Sequence, residues 1–484
     1  MTAPGAQVLL STSEKALQIN LDAKRFGTFA EIGAGQEVAR WFFHAGKASA
    51  TVAKSISAYD MAVSDEIYGK TGRYVSRQRL QSMLEREFEQ LQKRLIEKPG
   101  MPGAPFVLAD TVATHSHGRH NGGQGWMGVR FHRSPGDASP GEPPSEIIIH
   151  IKMLDAETVA EQEAVGIVGV NLAYGAFYLH EDPKALTMGL MDGLSRRRIE
   201  IDMIRFDGPA FAGVDNRLMS LELVESALTD AVMFTAEGEV VQPSEVLYGR
   251  PVLVERGSFR PITNVTLDML VRSEEQLQRE RPGPWEPPVV VMEMTLHNLS
   301  ADLKIDHADF LARVDMLGAL GKIVMISNYT TFDRVTGYLR GSTQNWIALV
   351  VGLPTLQEIV RKKYYVHLDG GLLEGLGRLF QGPVTMMVYP TRATATGEIS
   401  TVEDLEVQPE NRSLYAHLLQ NGLLQGIRDF AADQLHVTPG EVLSKLQAGD
   451  PAWESMVPAE VALFIKTHGL FGCKGAPPLD VAAT

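Results

Sequence analysis

The sequence predicts an α/β protein whose second half holds a mostly parallel, open doubly wound sheet, with a helical amino-terminal region and a small antiparallel β element before it. Three observations predict this. From Arg198 onward short apolar strands alternate with helical segments, the rhythm of βαβ units. Those strands are continuously apolar, as strands covered on both faces are. Ahead of them, three strand-like runs are separated by stretches rich in Gly, Pro and Ser, the pattern of an antiparallel meander.

In chain order, residues 36–68 place Val38, Trp41, Phe42, Val52, Ile56, Tyr59 and Val63 at helical spacing, with Gly46, Ala48, Ala50 and Ala53 small enough for close helix packing. A second helix spans 76–98, where Leu80, Met83, Leu84, Phe88, Leu91 and Leu95 recur at threes and fours, and Gly100, Pro102 and Gly103 end it. Strands follow at 105–114, 126–133 and 145–153, then helices at 156–178 and 184–194. In the second half the strands are 199–206, 231–234, 251–255, 289–296, 322–326, 346–351 and 384–389, with helices at 264–277, 307–317, 332–339 and 372–380 between them. These seven strands are one short of a β/α barrel, so the open sheet is preferred and a barrel closed by an uncounted strand is the alternative. Beyond a polar stretch at 391–409, helical segments lie at 414–424, 442–446 and 461–467, and 475–484 reads as a frayed tail. The expected organisation is therefore a helical region (1–104), antiparallel strands plus helices (105–197), a repeating βα domain (198–395) and a C-terminal helical segment with its tail (396–484).

Composition narrows the function classes. A net charge of −14 over 484 residues disfavours duplex nucleic acid and anionic membrane as partners, since both attract basic surfaces. Cys473 is the sole cysteine, so no intrachain disulfide forms and a cysteine-rich zinc site is excluded, which fits the cytoplasm. Residues 1–25 lack a basic segment followed by a long apolar run, so no secretory signal is expected. No run reaches the roughly 18 apolar residues of a membrane span; residues 164–178 come nearest, and their glycines suggest a buried helix. Gly33-Ala34-Gly35 lacks the third glycine of a dinucleotide fingerprint, at Val38, and no Lys-Ser/Thr follows a glycine-rich loop as in Walker-type ATPases.

The stretch that carries chemistry is Gly257-Ser258-Phe259-Arg260-Pro261-Ile262-Thr263-Asn264, between the strand ending at Glu255 and a helix. Ligands of α/β sheets gather at strand carboxyl ends, and free amides at a helix start suit phosphate oxygens. Gly257 permits close backbone approach, Ser258 and Thr263 offer hydroxyls, and Arg260 offers a two-pronged guanidinium. Glu255, Arg256 and Glu293 flank the loop at predicted strand ends, where carboxylates bind Mg²⁺ or act as acid and base. A plain strand-to-helix turn with Thr263 or Asn264 as the N-cap explains the same residues. A second cluster, His115, His117 and His120 with Asp110 before and His132 after, has metal-ligand chemistry without a helical His-x-x-x-His spacing, and a solvated glycine-rich loop is the preferred reading of it.

The 257–264 stretch resembles the first motif of nicotinamide and nicotinate mononucleotide adenylyltransferases, a Gly-Ser/Thr-Phe-x-Pro turn leading into a helix. The resemblance implies that Gly257, Ser258 and Phe259 line a nucleotide site, and it puts Thr266 where those enzymes carry a phosphate-binding histidine. A threonine hydroxyl donates a hydrogen bond without supplying positive charge to the transferred group. The family's later Ser/Thr-rich motif ending in Arg is matched only at its start, by Ile326-Ser327-Asn328-Tyr329. The whole chain also resembles an uncharacterised family of bacterial proteins, through 29–40, 209–217 and 254–264.

Two functions therefore stand open. The first is binding of a nucleotide or small phosphorylated ligand by Glu255, Arg256, Gly257, Ser258, Phe259, Arg260, Thr263, Asn264 and Glu293, with Mg²⁺ as companion ion and adenylyl transfer as its most specific form. The second is a non-catalytic protein that assembles with itself, as a homo-oligomer, or with a partner through its helical amino-terminal half.

Overall fold

The chain folds around two separate sheets, and the division falls between Thr229 and Asp230. The structure is a computed structural model describing residues 10–97, 103–115, 122–138, 142–281, 283–301, 304–392 and 397–473. None of the helices among those residues is long and apolar enough to cross a membrane.

The first unit, Met1–Thr229, contains α1 (Thr12–Leu21), β1 (Arg25–Ile32), α2 (Glu37–Ala45), β2 (Val52–Ile56), α3 (Met61–Tyr68), α4 (Arg77–Glu97), β3 (Ala104–Ala113), β4 (Gln124–Phe131), β5 (Ser145–Met153), α5 (Thr158–Tyr178), α6 (Pro183–Gly189), β6 (Ile199–Asp207) and α7 (Asn216–Glu225). Its six strands run β2-β1-β3-β4-β5-β6. The β2/β1 and β1/β3 pairs are parallel, and the remaining three are antiparallel. Helices cover both faces. Leu80 and Leu84 of α4 sit over Gly128, while on the other face Phe177 of α5 packs edge-on against Phe106 and Phe131.

The meander is present as β3, β4 and β5, and the buried helix expected at 164–178 is the body of α5, which buries nearly its whole circumference. The helical pattern at 36–68 is corrected. Only α2 and α3 are helical there; 48–50 form a single 3₁₀ turn, and Ala53 lies in strand β2. Val52 and Ile56 are four apart, which puts them on one face of a strand as readily as of a helix. The small residues 46–53 therefore form no helix-packing stripe. Strand β1 (RFGTFAEI) is buried at every position and shows no alternation to reveal it. The strand at 199–206, read as the first of the βα rhythm, pairs antiparallel with β5 as β6.

The second unit, Asp230–Thr484, contains β7 (Ala231–Phe234), β8 (Val240–Val241), α8 (Pro243–Leu247), β9 (Val252–Arg256), α9 (Asn264–Glu280), β10 (Val289–Thr295), α10 (His307–Ala319), β11 (Ile323–Ser327), α11 (Phe332–Arg340), β12 (Ile347–Gly352), α12 (Leu353–Ile359), α13 (Gly371–Leu379), β13 (Val384–Tyr389), α14 (Arg412–Gln420), β14 (Leu424–Gly426), α15 (Pro439–Ala448) and α16 (Ala459–His468). The sheet is open, with order β14-β13-β12-β9-β10-β11-β7-β8. Strands β9 to β14 are mutually parallel, and β7 and β8 extend one edge antiparallel. The closed barrel is thereby set aside. Val252, Val254, Val291, Met325, Leu349 and Met386 line one face with α11 and α13, through Val335, Leu339, Leu372 and Leu376. Leu253 and Glu255 alternate to the opposite face.

Numbered along the chain, the six parallel strands lie in space as third, second, first, fourth, fifth, sixth. The connections reverse direction between β9 and β12, the kind of switch point at which doubly wound sheets bind ligands. The residue following β9 is Gly257.

Candidate functional site

The 257–264 turn is built from β9 outward. The Gly257 amide donates to the Glu293 carbonyl at 3.0 Å, prolonging the β9/β10 ladder by one bond. A Cβ on Gly257 would stand 2.8 Å from the Phe259 ring, so glycine is what lets that ring fold back beneath the strand end. Phe259 is buried with φ of 45°, the left-handed region that side chains seldom adopt. The Arg260–Pro261 peptide is cis. Phe259, Pro261, Ile262 and Thr263 point inward, while Gly257, Ser258, Arg260 and Asn264 remain half-buried. Thr263 is the N-cap of α9, its Oγ1 accepting the Thr266 amide at 3.3 Å. Asn264 donates its side-chain amide to the Ser455 carbonyl at 2.9 Å.

The charged residues around this turn are mostly paired. Arg256 donates from Nε and Nη2 to the two oxygens of Glu293, both at 2.8 Å, and Ser327 donates to the same carboxylate at 2.6 Å. The guanidinium lies 4.4 Å from the centre of the Phe332 ring. A carboxylate that is fully buried at Glu293 is thus held by a fork, a hydroxyl and an aromatic cover. Arg260 Nε donates to Asp309 Oδ1 at 2.6 Å. Arg313, one turn along α10, pairs with the same Asp309 and donates to the carbonyls of Ser258 (3.1 Å) and Asn298 (2.9 Å). Burial pulls the Arg313 guanidinium down, and Asp309 opposes that. The Arg260 side chain stays 35% exposed, and its two Nη groups make no hydrogen bond among the described residues.

Glu255 leaves the sheet on the opposite side from Arg256. It is buried, Oε2 has no hydrogen-bond partner among the described residues, and burial pushes its carboxyl well above the usual range despite the opposing charge of Lys322. Of the residues singled out in the sequence, Arg256 and Glu293 meet, and Arg260 and Ser258 share the Asp309–Arg313 support. Glu255 stands apart from both groups. Asp309 and Arg313 were missed. Their i, i+4 acid–base spacing is the available signal, and it is shared by many solvated helix faces.

Of the histidine cluster, only His115 and the flanking Asp110 and His132 lie among the described residues. His117 and His120 lie outside the described residues, and no group of three metal-capable side chains occurs among those described. The His115 amide donates to Glu161 at 2.7 Å, and His132 packs against Phe88. Asp110 is buried beside Glu31 on β1.

No family model matches the chain, and no curated protein sequence does. Among solved structures it is similar to the competence/damage inducible protein CihA from Agrobacterium tumefaciens, at 14% identity, covering 35% of this chain and 97% of that one with a TM-score of 0.25. A CinA-superfamily protein from Enterobacter cloacae is similar at 12% identity, with 36% and 98% coverage and a TM-score of 0.26. A nicotinic acid mononucleotide adenylyltransferase from Plasmodium falciparum, solved with APC, is similar at 12% identity over 46% of this chain and 98% of that one, with a TM-score of 0.28.

Proposed function

We propose that the second unit binds a nucleotide or another phosphorylated metabolite in the crevice over residues 257–264. The observation that carries this reading is the strand order: the turn leaves β9, the strand at which the sheet's connections reverse, and ligands of doubly wound sheets collect there. Supporting it, the half-exposed Gly257 and Ser258 lead into a 17-residue helix whose cap is a neutral hydroxyl and whose first turn holds no acidic residue. Arg260 adds a half-buried guanidinium whose Nη groups are unspent among the described residues.

Binding is better supported than adenylyl transfer. Thr266 is buried, with its amide on Thr263 Oγ1 and its hydroxyl 3.3 Å from that of Thr263, so it serves the cap and brings no charge to a phosphate. Arg256 and Glu293 are occupied with each other, which makes them scaffold for the strand end; Mg²⁺ would come in with the ligand's own phosphates.

Thermal-shift measurements on the full chain with ATP, NAD, mononucleotides and phosphosugars, each with and without Mg²⁺, test the reading. At a hundred times its dissociation constant a ligand stabilises the folded state by about 2.7 kcal/mol, a readily seen shift. If no phosphorylated compound at millimolar concentration moves the melting transition, the reading fails.

A further inference from the structure

A cavity of about 560 Å³ opens at the carboxyl ends of β13 and β14, a size that suits a small ligand. Its apolar lining includes Val388, Leu419, Leu424 and Phe430. Its polar lining is one-sided. The Gln425 side chain donates from Nε2 to the Gly422 carbonyl at 3.2 Å, which fixes the amide orientation, because the flipped form would set oxygen against oxygen. Gln425 Oε1 is then a buried acceptor without a hydrogen-bond partner among the described residues. Glu403 leans over the cavity floor: a Cβ on Gly426 would stand 3.6 and 3.7 Å from its two carboxylate oxygens. Glu403 makes no hydrogen bond or ion pair among the described residues, and its charge helps burial raise the Tyr415 phenol.

Several of the other polar groups of the lining are already engaged. Gln276 donates to the Gly426 carbonyl and accepts the Arg428 amide. The Thr401 hydroxyl donates to Asp404 at 2.8 Å. Arg428 lies 3.5 Å from Glu280, and Asp429 is paired with Arg279 at 3.0 Å. The lining holds three carboxylates, Glu280, Glu403 and Asp429, against one guanidinium, Arg428, so its charge balance favours a cation. An anion placed there would face an unpaired carboxylate and a buried carbonyl oxygen, and a purely apolar ligand would leave that acceptor unsatisfied.

We propose that this cavity binds a small organic cation, an ammonium or amidinium head on an apolar body, with Glu403 balancing the charge and Gln425 Oε1 accepting a hydrogen bond. The carboxylate remains partly solvated, so the ligand gains selectivity for charge and direction from it, and gains area from the four apolar side chains. The proposal is independent of the phosphate reading; either can fail alone.

The test is a titration of the full chain with p-aminobenzamidine, whose fluorescence rises when it is shielded from water, with agmatine as competitor and benzamide as the uncharged control. Saturable binding displaced by agmatine is expected, with benzamide at least tenfold weaker. Glu403→Gln, at an exposed position, and Gln425→Met should each weaken binding at least tenfold without lowering the melting temperature. No saturable binding, equal affinity for benzamide, or unchanged affinity in Glu403→Gln overturns the proposal. Should Gln425→Met fold poorly, Glu403→Gln alone decides.

Discussion

Each unit contains a strand-to-helix turn at the carboxyl end of a parallel strand, and the two turns treat their helix amides in opposite ways. In the first unit β1 passes through Gly33, with φ of 100° and no room for a Cβ beside the Val112 carbonyl oxygen, into α2. Glu31, from the strand itself, reaches the helix start and accepts the amides of Val38 (2.8 Å) and Ala39 (3.2 Å). The place where an external anion would bind is filled by a side-chain carboxyl belonging to the chain. In the second unit β9 passes through Gly257 into α9, and the cap is Thr263. Its neighbouring carboxylate, Glu293, is neutralised by Arg256 and kept away from the amides. Two turns that look alike in a sequence thus differ in whether their positive end is already occupied.

Four measurements break or sharpen this contrast. The largest effect belongs to the Arg256–Glu293 pair: Arg256→Ala leaves a fully buried carboxylate uncompensated and is expected to cost about 3–5 kcal/mol, read by urea unfolding. Glu31→Ala strips the acceptor from two buried amides and should cost about 2–4 kcal/mol, with faster hydrogen exchange at Val38 and Ala39.

A smaller effect comes from pH. Burial, against the pull of the two amides, pushes Glu31 up to about 7, and burial plus the Glu31 charge pushes Asp110 well above the usual range. Both carboxyls hold protons in the folded state that the unfolded chain has released. Their stabilisation is therefore complete below about pH 4.5, the ordinary value for Glu31, and is lost as pH rises through 7. The first unit should weaken as pH rises from about 4.5 to about 7, and Asp110→Asn should flatten that dependence; a pH-independent midpoint in the parent chain contradicts the pairing. Least of all, Thr263→Ala should cost about 1 kcal/mol, the worth of a hydroxyl N-cap, far less than Glu31→Ala.

Much of this architecture was legible because the periods were long. Helix α4 and strands β3 to β5 repeat their apolar positions often enough to be read, and β9 to β13 are apolar runs bounded by turn residues. Strand β14 was not legible: its three residues begin only four positions after the end of α14, and its first merges into the helical spacing at 414–424. Strand β1 was hidden because burial at all eight positions removes alternation, and β6 because nothing local tells which sheet an apolar run will join. At the candidate site, Arg256 and Glu293 were legible as polar ends of neighbouring strands. Asp309 and Arg313 were not, since only the packing of α10 brings them to the turn. Asp110, grouped with the histidines along the chain, faces Glu31 because β3 pairs with β1, a contact 79 residues away.

The central claim is that the α9 turn accepts an anion from solution and the α2 turn does not. Titrating ¹⁵N-labelled chain with inorganic pyrophosphate while following backbone amides tests it directly. Saturable shifts at Gly257, Ser258, Asn264 and Val265, with residues 33–39 unmoved, are predicted. Silence at 257–265, or shifts centred on 33–39, would contradict it.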